Sequence, residues 1–329
     1  MQVASPHRRI LSALAMLAAC AVLPAVAQAQ SYPSKPVRLL VGFPPGGSTD
    51  LLARTLAPKL SQALGQPVII ENRPGAGGNI AGEITAKSLP DGYTLFLTTV
   101  ASHAINPHLY SKMPYDPVKD FTPVTLAASY PLLLVAYPGA GVGSVAELLK
   151  LAKAKPGTLF FASSGNGSPG HLSGELLKTM GGVNLVHVPY KGGAPSTTAV
   201  LAGEAHITFA TMPAVLPHVK GGKLLGIAVT TAQRSSAAPE IPTIADAGLP
   251  GYDVNSWAGI VGPAGLPKAI VMRLHTELAK ALHSTEIKER LAAEGASPVA
   301  NLPEQFAAFI KDELAKWGKI ARDANAKIE

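Results

Sequence analysis

In the first part of the chain, short apolar runs alternate with segments in which apolar residues recur at helical spacing. The runs at residues 37–43, 67–71 and 94–98 are typical of buried strands, and the segments at 48–64 and 79–89 are typical of amphipathic helices. This strand–helix–strand–helix–strand order predicts a parallel, doubly wound sheet.

The same alternation restarts after residue 123. Predicted strands lie at residues 132–137, 159–163, 185–188, 206–211 and 223–230, and predicted helices at 169–180, 194–202, 267–283 and 303–324. Ser144 with Glu147 predicts a further helix start, and Asn301 with Glu304 predicts a cap for the last helix. The pattern therefore predicts two doubly wound α/β lobes with a ligand cleft between them. Residues 30–128 and 252–329 form the first lobe, and residues 129–251 form the second.

The N-terminal segment has the organisation of an export signal. A basic start at residues 7–9 precedes an apolar run at 10–19, and Ala27-Gln28-Ala29 supplies the small residues that a signal peptidase requires. We therefore predict a signal peptide at residues 1–29, cleaved after Ala29, and a periplasmic protein.

Lipid attachment at Cys20 is the alternative form of export, because residues 17–20 resemble a bacterial lipobox. The chain stays apolar after Cys20, where lipoproteins usually turn polar, so release of an unanchored chain is favoured. No later segment contains the ~20 uninterrupted apolar residues that a transmembrane helix needs.

Composition narrows the function classes. The formal net charge is +7, but Lys and Arg are scattered and aromatic residues make up only 5% of the chain. Nucleic-acid-binding proteins show a basic stripe with interleaved aromatic residues, so no nucleic-acid partner is predicted. Cys20 is the single cysteine, and the histidines lack metal-ligand spacing, so neither a disulfide nor a metal site is predicted.

Ligands of open parallel sheets bind beyond the carboxyl ends of the strands, so the loops after predicted strands are the candidate sites. The first, residues 43–50, places Gly46 and Gly47 at a helix start, where backbone N–H groups and the helix dipole favour an anion. The alternative is a glycine turn with Ser48 as the helix cap. Asp50 is predicted to brace the helix start, since a carboxylate facing an anionic ligand would repel it.

The second loop, residues 163–171, also joins a buried strand to a helix. Ser168 is its predicted N-cap, and Pro169 occupies the first helical position. One glycine-rich helix start in each lobe predicts a cleft that binds an anion from both sides. His171 lies in the first turn, where the dipole favours its neutral form, and it either donates to a ligand or is held against its own loop.

The third loop, residues 188–195, carries Tyr190 and Lys191 ahead of another glycine-led helix start. The phenol and the ammonium group are candidate ligand contacts. The alternatives are a half-buried packing residue for Tyr190 and a solvated surface charge for Lys191.

Enzyme motifs are mostly missing. The chain has no phosphate-binding P-loop, and residues 75–80 fail the dinucleotide pattern because Ile80 stands at the third glycine position. Residues 166–170 lack the first glycine of a nucleophile elbow. A secreted serine hydrolase that uses Ser168 and His171 is the alternative to a binding protein.

At these loops the chain resembles the periplasmic solute receptors of tripartite tricarboxylate transporters, the Bug or TctC-like family. The match covers essentially the whole chain after the signal peptide, in order. It is carried by YPSKPVR at 32–38, FPPGGSTD at 43–50, ENRPGAGGN at 71–79, PDGYT at 90–94, SSGNGSPGHL at 163–172, HVPYKG at 187–192, PTIADAG at 242–248 and WAG at 257–259.

The resemblance implies a two-lobed, hinge-closing binding protein without catalysis or cofactor, acting as a monomer. Its partners would be a small carboxylate or related molecule and the membrane subunits of a transporter. The ligand-binding residues implied by position are Phe43, Pro44, Gly46, Gly47, Thr49, Asn79, Thr99, Ser102, Ser164, Gly165, Gly167, Ser168, His171, Tyr190 and Lys191. Family members often carry acidic residues where Ala210 and His206 stand, and this departure counts against an ammonium-bearing ligand.

Overall fold

The computed structural model describes residues 32–293 and 295–323. The predicted signal peptide, its cleavage site and Cys20 lie outside these residues. The strands are β1 (Val37–Val41), β2 (Val68–Asn72), β3 (Thr94–Thr99), β4 (Phe121–Ala136), β5 (Phe160–Ser163), β6 (Val186–Pro189), β7 (Ile207–Thr211), β8 (Leu225–Val229), β9 (Asn255–Pro263) and β10 (Ser297–Pro298). None of the described helices is both long and apolar enough to cross a membrane.

Helices pack around these strands. They are α1 (Ser48–Leu64), α2 (Asn79–Ala86), α3 (Asn106–Leu109), α4 (Val145–Ala154), α5 (Pro169–Gly181), α6 (Gly193–Leu201), α7 (Met212–Lys220), α8 (Lys268–Leu282), α9 (Thr285–Ala293) and α10 (Pro303–Asp323). Short 3₁₀ segments lie at Ala76–Gly78 and Pro138–Ala140, and a π-helical turn lies at Ala101–Ile105.

The predicted parallel sheet of the first lobe is confirmed. Strand β1 lies between β2 and β3 and is parallel to both. Apolar residues of α1 cover this sheet, and α1 has the predicted bounds, ending at Gly65 in the left-handed conformation. Strand β9, which was not predicted, extends the sheet by pairing antiparallel with β3.

Strand β4 connects the two lobes. Its first part, through Pro131, pairs with β9, and from Leu132 onward it pairs with β7 and β8. The sequence predicted only residues 132–137, because Pro123 and Pro131 interrupt the earlier part. An irregularity in the ladder between Pro123 and Thr125 accommodates the first of these prolines. The lobe boundaries remain a prediction. The change of β4 from pairing with β9 to pairing with β7 and β8 supports a boundary near residue 129.

The second lobe repeats the arrangement with opposite strand direction. Strand β5 lies between β6 and β7 and is parallel to both. Strand β7 runs antiparallel to β4, whereas β3 runs in the same direction as β4 because both are antiparallel to β9. The parallel strands of the two lobes therefore run toward each other, and their carboxyl ends meet at the junction.

The last helix returns to the first lobe and is fixed there by a buried carboxylate. Glu313 of α10 accepts hydrogen bonds of 2.8 Å from the indole N–H groups of Trp257 and Trp317. Both indoles are buried, so each N–H needs this acceptor.

The predicted helix cap at Asn301 is wrong. Its side-chain oxygen instead accepts from the backbone N–H of Leu126 at 2.9 Å, which ties the loop before α10 to β4. At the helix start, the side-chain oxygen of Gln305 accepts from the backbone N–H of Leu302 at 3.0 Å.

We expect Glu313→Leu to lower the free energy of unfolding by at least ~2 kcal/mol, because two buried indole N–H groups lose their acceptor at ~1–3 kcal/mol each. Glu313→Gln keeps a carbonyl oxygen of similar position and is the matched control, with a smaller expected loss. Urea unfolding followed by tryptophan fluorescence measures both. Equal losses in the two variants would contradict this account of the helix anchor.

Candidate ligand-binding site

A cavity of about 640 Å³ lies where the two lobes meet, within the usual size range of ligand sites. Both lobes contribute to its wall. Helices α1, α5, α6 and α7 all have residues of their first turn in the lining. Backbone N–H groups in a first turn have no partner within the helix, and the dipole adds partial positive charge. The geometry therefore favours an anion or another hydrogen-bond acceptor.

The side chains of the wall agree with this polarity. Among the described residues that line the cavity, none is Asp or Glu. Lys191 contributes an ammonium group but is exposed at the edge, where solvent screens it. The positive character of the cavity therefore comes mainly from backbone groups.

Asp50 holds the first loop in place, as predicted. Its carboxylate accepts from the N–H of Gly46 at 2.9 Å, from Nε of Arg54 at 2.8 Å and from the amide of Asn72 at 2.9 Å. Burial raises the pKa of this carboxyl, but the three hydrogen bonds outweigh burial and leave the pKa below its usual range. Gly46 has a φ of +84°, which favours glycine there.

The predicted role of Ser48 as helix cap is wrong. The N-cap position belongs to Gly47, whose backbone is extended. The Ser48 hydroxyl instead bonds to the hydroxyl of Thr211 at 2.6 Å. Ser48 lies on α1 of the first lobe and Thr211 ends β7 of the second, so this hydrogen bond joins the lobes directly across the cavity wall.

The second loop is built from its own side chains. Ser168 caps α5 as predicted, accepting from the N–H of His171 at 3.2 Å, with Pro169 at the helix start. The Nδ1 atom of His171 accepts from the N–H of Gly167 at 3.3 Å. Gly170 packs its Cα directly on the carbonyl of Phe209, so a side chain there would collide. This contact sets the start of α5 against the end of β7.

His171 is neutral, as expected. Burial, with a smaller effect from Lys178, lowers its pKa to about 4. Its ring stacks on His187 at 4.1 Å, and Nε2 of His187 bonds to the Ser163 hydroxyl at 2.6 Å. Because the Ser168 hydroxyl and Nδ1 of His171 both accept from backbone N–H groups of their own loop rather than bonding to each other, the hydrolase alternative has no support.

The structure separates the sequence-predicted site residues into two groups. The cavity wall contains Phe43, Pro44, Gly46, Gly47, Thr49, Thr99, Ser164 and Lys191. Outside the wall lie Asn79, Ser102, Gly165, Gly167, Ser168, His171 and Tyr190. Gly165, Gly167, Ser168 and His171 belong to the second loop and its helix start without lining the cavity, and Tyr190 packs partly buried against the core of the second lobe.

A buried polar network lies behind the wall in the first lobe. The Asn79 side-chain oxygen accepts from Asn106 at 2.7 Å and lies 3.0 Å from the Tyr115 hydroxyl. The Ser102 hydroxyl accepts from the N–H of Thr99 at 3.2 Å, and the Tyr115 hydroxyl donates to the carbonyl of Ser102 at 2.8 Å. The network therefore fixes the backbone of Thr99, which is in the wall.

Two hydroxyl groups in the wall lack partners. The Oγ1 atoms of Thr99 and Thr197 are buried and have no hydrogen bond to any described residue. The two residues are only 6% and 4% exposed and come from opposite lobes. Buried hydroxyls are nearly always satisfied, so both are candidates for ligand contact.

Sequence reasoning missed Thr197, as well as Ser196, Thr211, Tyr130 and Ser256 in the wall. A signal for the first two was present, since Ser196 and Thr197 follow Gly192 and Gly193 in the first turn of a predicted helix. Nothing in the sequence pattern marked Tyr130 or Ser256, which lie on strands that approach the cavity from below the loops.

Comparisons with known proteins agree with this arrangement. A model of the tripartite tricarboxylate transporter family receptors matches residues 52–326. Protein BugT of Bordetella pertussis is 38% identical over 322 residues, which cover 98% of this chain and 99% of that protein.

Solved structures show the same likeness. R. palustris Rpa4515 with adipate has a TM-score of 0.87 at 42% identity, covering 90% of this chain and 100% of that one. MatC (Rpa3494) from Rhodopseudomonas palustris with bound malate has a TM-score of 0.83 at 32% identity, covering 88% of this chain and 99% of that one. These likenesses confirm the two-lobed α/β fold of periplasmic binding proteins. By its sequence and its fold, the chain belongs to the receptor family of the tripartite tricarboxylate transporters.

Proposed function

We propose that this receptor captures a small carboxylate in the cavity between its lobes. The observation that carries the proposal is the convergence of helices α1, α5, α6 and α7, whose first turns line one cavity without any acidic side chain among the described wall residues. Its relatives Rpa4515 and MatC were solved with adipate and malate, which are both carboxylates.

Within this proposal, the wall residues at the helix N-termini bind the carboxylate directly, and the predicted residues behind them hold the wall. Backbone N–H groups at Gly47 and the start of α1 and the hydroxyl of Thr99 face the ligand from the first lobe. Ser164 and Thr197 face it from the second lobe. The predicted residues that lie outside the wall, such as Asn79 and His171, position the loops through the hydrogen bonds described above.

The family assignment also suggests where the protein acts and to which partner it delivers its ligand. The family supports a periplasmic location, and we propose export by a signal peptide at residues 1–29 with cleavage after Ala29. The membrane subunits of a tripartite transporter would receive the loaded receptor. The protein would act by binding and closing, with no catalytic step.

A thermal-shift screen of small carboxylates against the purified protein tests the function. A ligand present at about 100 times its dissociation constant stabilises the folded state by ~2.7 kcal/mol, which raises the melting temperature by several degrees. Uncharged amides of the same acids are the control. The proposal fails if no carboxylate raises the melting temperature above its amide.

We expect Gly47→Val to weaken carboxylate binding more than Lys191→Ala. A Cβ at Gly47 meets only the Pro44 carbonyl at 3.8 Å, and the φ of −81° suits any residue, so the fold tolerates it while the branched side chain enters the anion site. Loss of two N–H contacts costs ~1–3 kcal/mol each, whereas an exposed ammonium contributes ~0.2–1 kcal/mol. Calorimetry on both variants decides, and abolished binding in Lys191→Ala alone would refute binding by helix N-termini.

Ser48→Ala and Thr211→Val each remove the hydroxyl pair that joins the lobes. We expect either variant to weaken ligand binding by ~0.5–1.5 kcal/mol, because a hydrogen bond that holds the lobes together around the cavity is lost. The double variant is expected to lose no more than either single one, since both remove the same bond. Fully additive losses would show that the two hydroxyls act separately, for example on the ligand.

A further inference from the structure

The cavity continues beyond the helix N-termini into a groove between α6 and α7 of the second lobe. Along α6 the wall includes Ala194, Thr198 and Leu201, whose spacing of three to four residues places them on one helix face. Along α7 it includes Ala214 and His218, at the same spacing. From Ala194 to Leu201 the helix rises by ~10 Å, so the groove is two turns long.

The groove differs in chemistry from the anion site at its inner end. Leu201, Pro213, Ala214 and Pro217 give it an apolar lining. Leu201 and Ala214 are half-buried and pack against the core of the second lobe, which holds this lining in place. An apolar surface of this kind favours the burial of hydrocarbon and offers no hydrogen bonds to a polar body.

Thr198, which is exposed, lies midway along the groove, and Leu201 and the half-buried His218 mark its outer end. None of the described wall residues is acidic, so an ammonium group inside the cavity would lose its hydration without gaining a counter-charge. The positive ends of four helices add repulsion. The cavity therefore selects against cationic groups along its whole length.

We infer that the ligand is a carboxylate with an unbranched apolar body and no ammonium group. This inference rests on the proposed function and specifies the ligand class of the same site. The carboxylate lies at the helix N-termini, the hydrocarbon lies along α6 and α7, and the distal end reaches the mouth beside His218. Such a ligand uses both the polar and the apolar parts of one cavity.

Calorimetric titration with succinate, adipate and suberate tests the length of the groove. Each buried methylene strengthens binding by about fourfold, so we expect a gain of at least about tenfold from succinate to suberate. 6-Aminohexanoate, which has an aminomethyl group, charged as ammonium, where adipate has its second carboxylate, is expected to bind several-fold more weakly than adipate. Affinity that stays level or falls with length, or equal binding of adipate and 6-aminohexanoate, overturns the inference.

Thr198→Phe locates the effect in the groove. Because Thr198 is exposed, the fold tolerates the ring, which obstructs the groove beyond its first turn. We expect this variant to remove the gain from succinate to suberate, while succinate, which is short enough to stay at the helix N-termini, binds within about twofold of wild type. Thr179→Phe, an exposed threonine of α5 outside the wall, is the matched control and leaves the whole series unchanged. Leu201→Ser is a second probe, expected to weaken suberate more than succinate.

The failure of the inference is distinguishable from that of the proposed function. If wild-type protein binds none of the carboxylates, the proposed function fails. If it binds them all but Thr198→Phe and Leu201→Ser weaken succinate and suberate by the same factor, the carboxylate site stands and the groove assignment is wrong.

Discussion

The direction of strand β4 is the constraint from which the site follows. One continuous strand is hydrogen-bonded into both lobes, so the polarity of each sheet is fixed relative to the other. The parallel strands of the first lobe run with β4, and those of the second lobe run against it. Their carboxyl ends, and the helices that start there, must therefore face one another. A cavity between opposed helix N-termini is a consequence of this topology.

Opposed helix N-termini leave many backbone N–H groups without partners within the helices. Side chains of the neighbouring loops accept hydrogen bonds from some of these groups: Asp50 accepts from Gly46, Ser168 from His171, and His171 from Gly167. These bonds also make the loops rigid, so the remaining donors are held in position before a ligand arrives. Binding then requires little reorganisation of the wall, which lowers its entropic cost.

Much of the fold was predictable because local signals and tertiary structure agree. The bounds of α1 were predicted correctly, since its apolar spacing and Gly65 both mark it. The early part of β4 was missed because prolines usually interrupt strands, and here a ladder irregularity and neighbouring strands compensate. Helix α7 was missed for a related reason: it contains two prolines, one tolerated at its start and one, Pro217, late in the helix.

The sequence identified the loops that form the candidate site, but not which of their side chains face the cavity. Glycine content and position after strands identified the three loops, because these features depend only on local sequence. Which side of a loop each residue faces depends on packing: Ser168 and His171 turn inward because a capping bond and a stacked imidazole hold them there. Thr197, by contrast, faces the cavity through the turn of α6.

Under the proposed function, backbone groups bind the anion and side chains discriminate between ligands. This division of roles explains how one receptor fold can serve many ligands. Backbone dipoles at the helix starts bind an anion whatever side chains follow, so the anion site is set by the topology. Discrimination must then come from the wall beyond it, where Leu201, Pro213 and Ala214 lie in this chain. Under the proposed function, substitutions along the groove faces of α6 and α7 change the ligand while leaving the strands and caps untouched. Specificity in this protein is therefore separable from its fold, because different residues control the two.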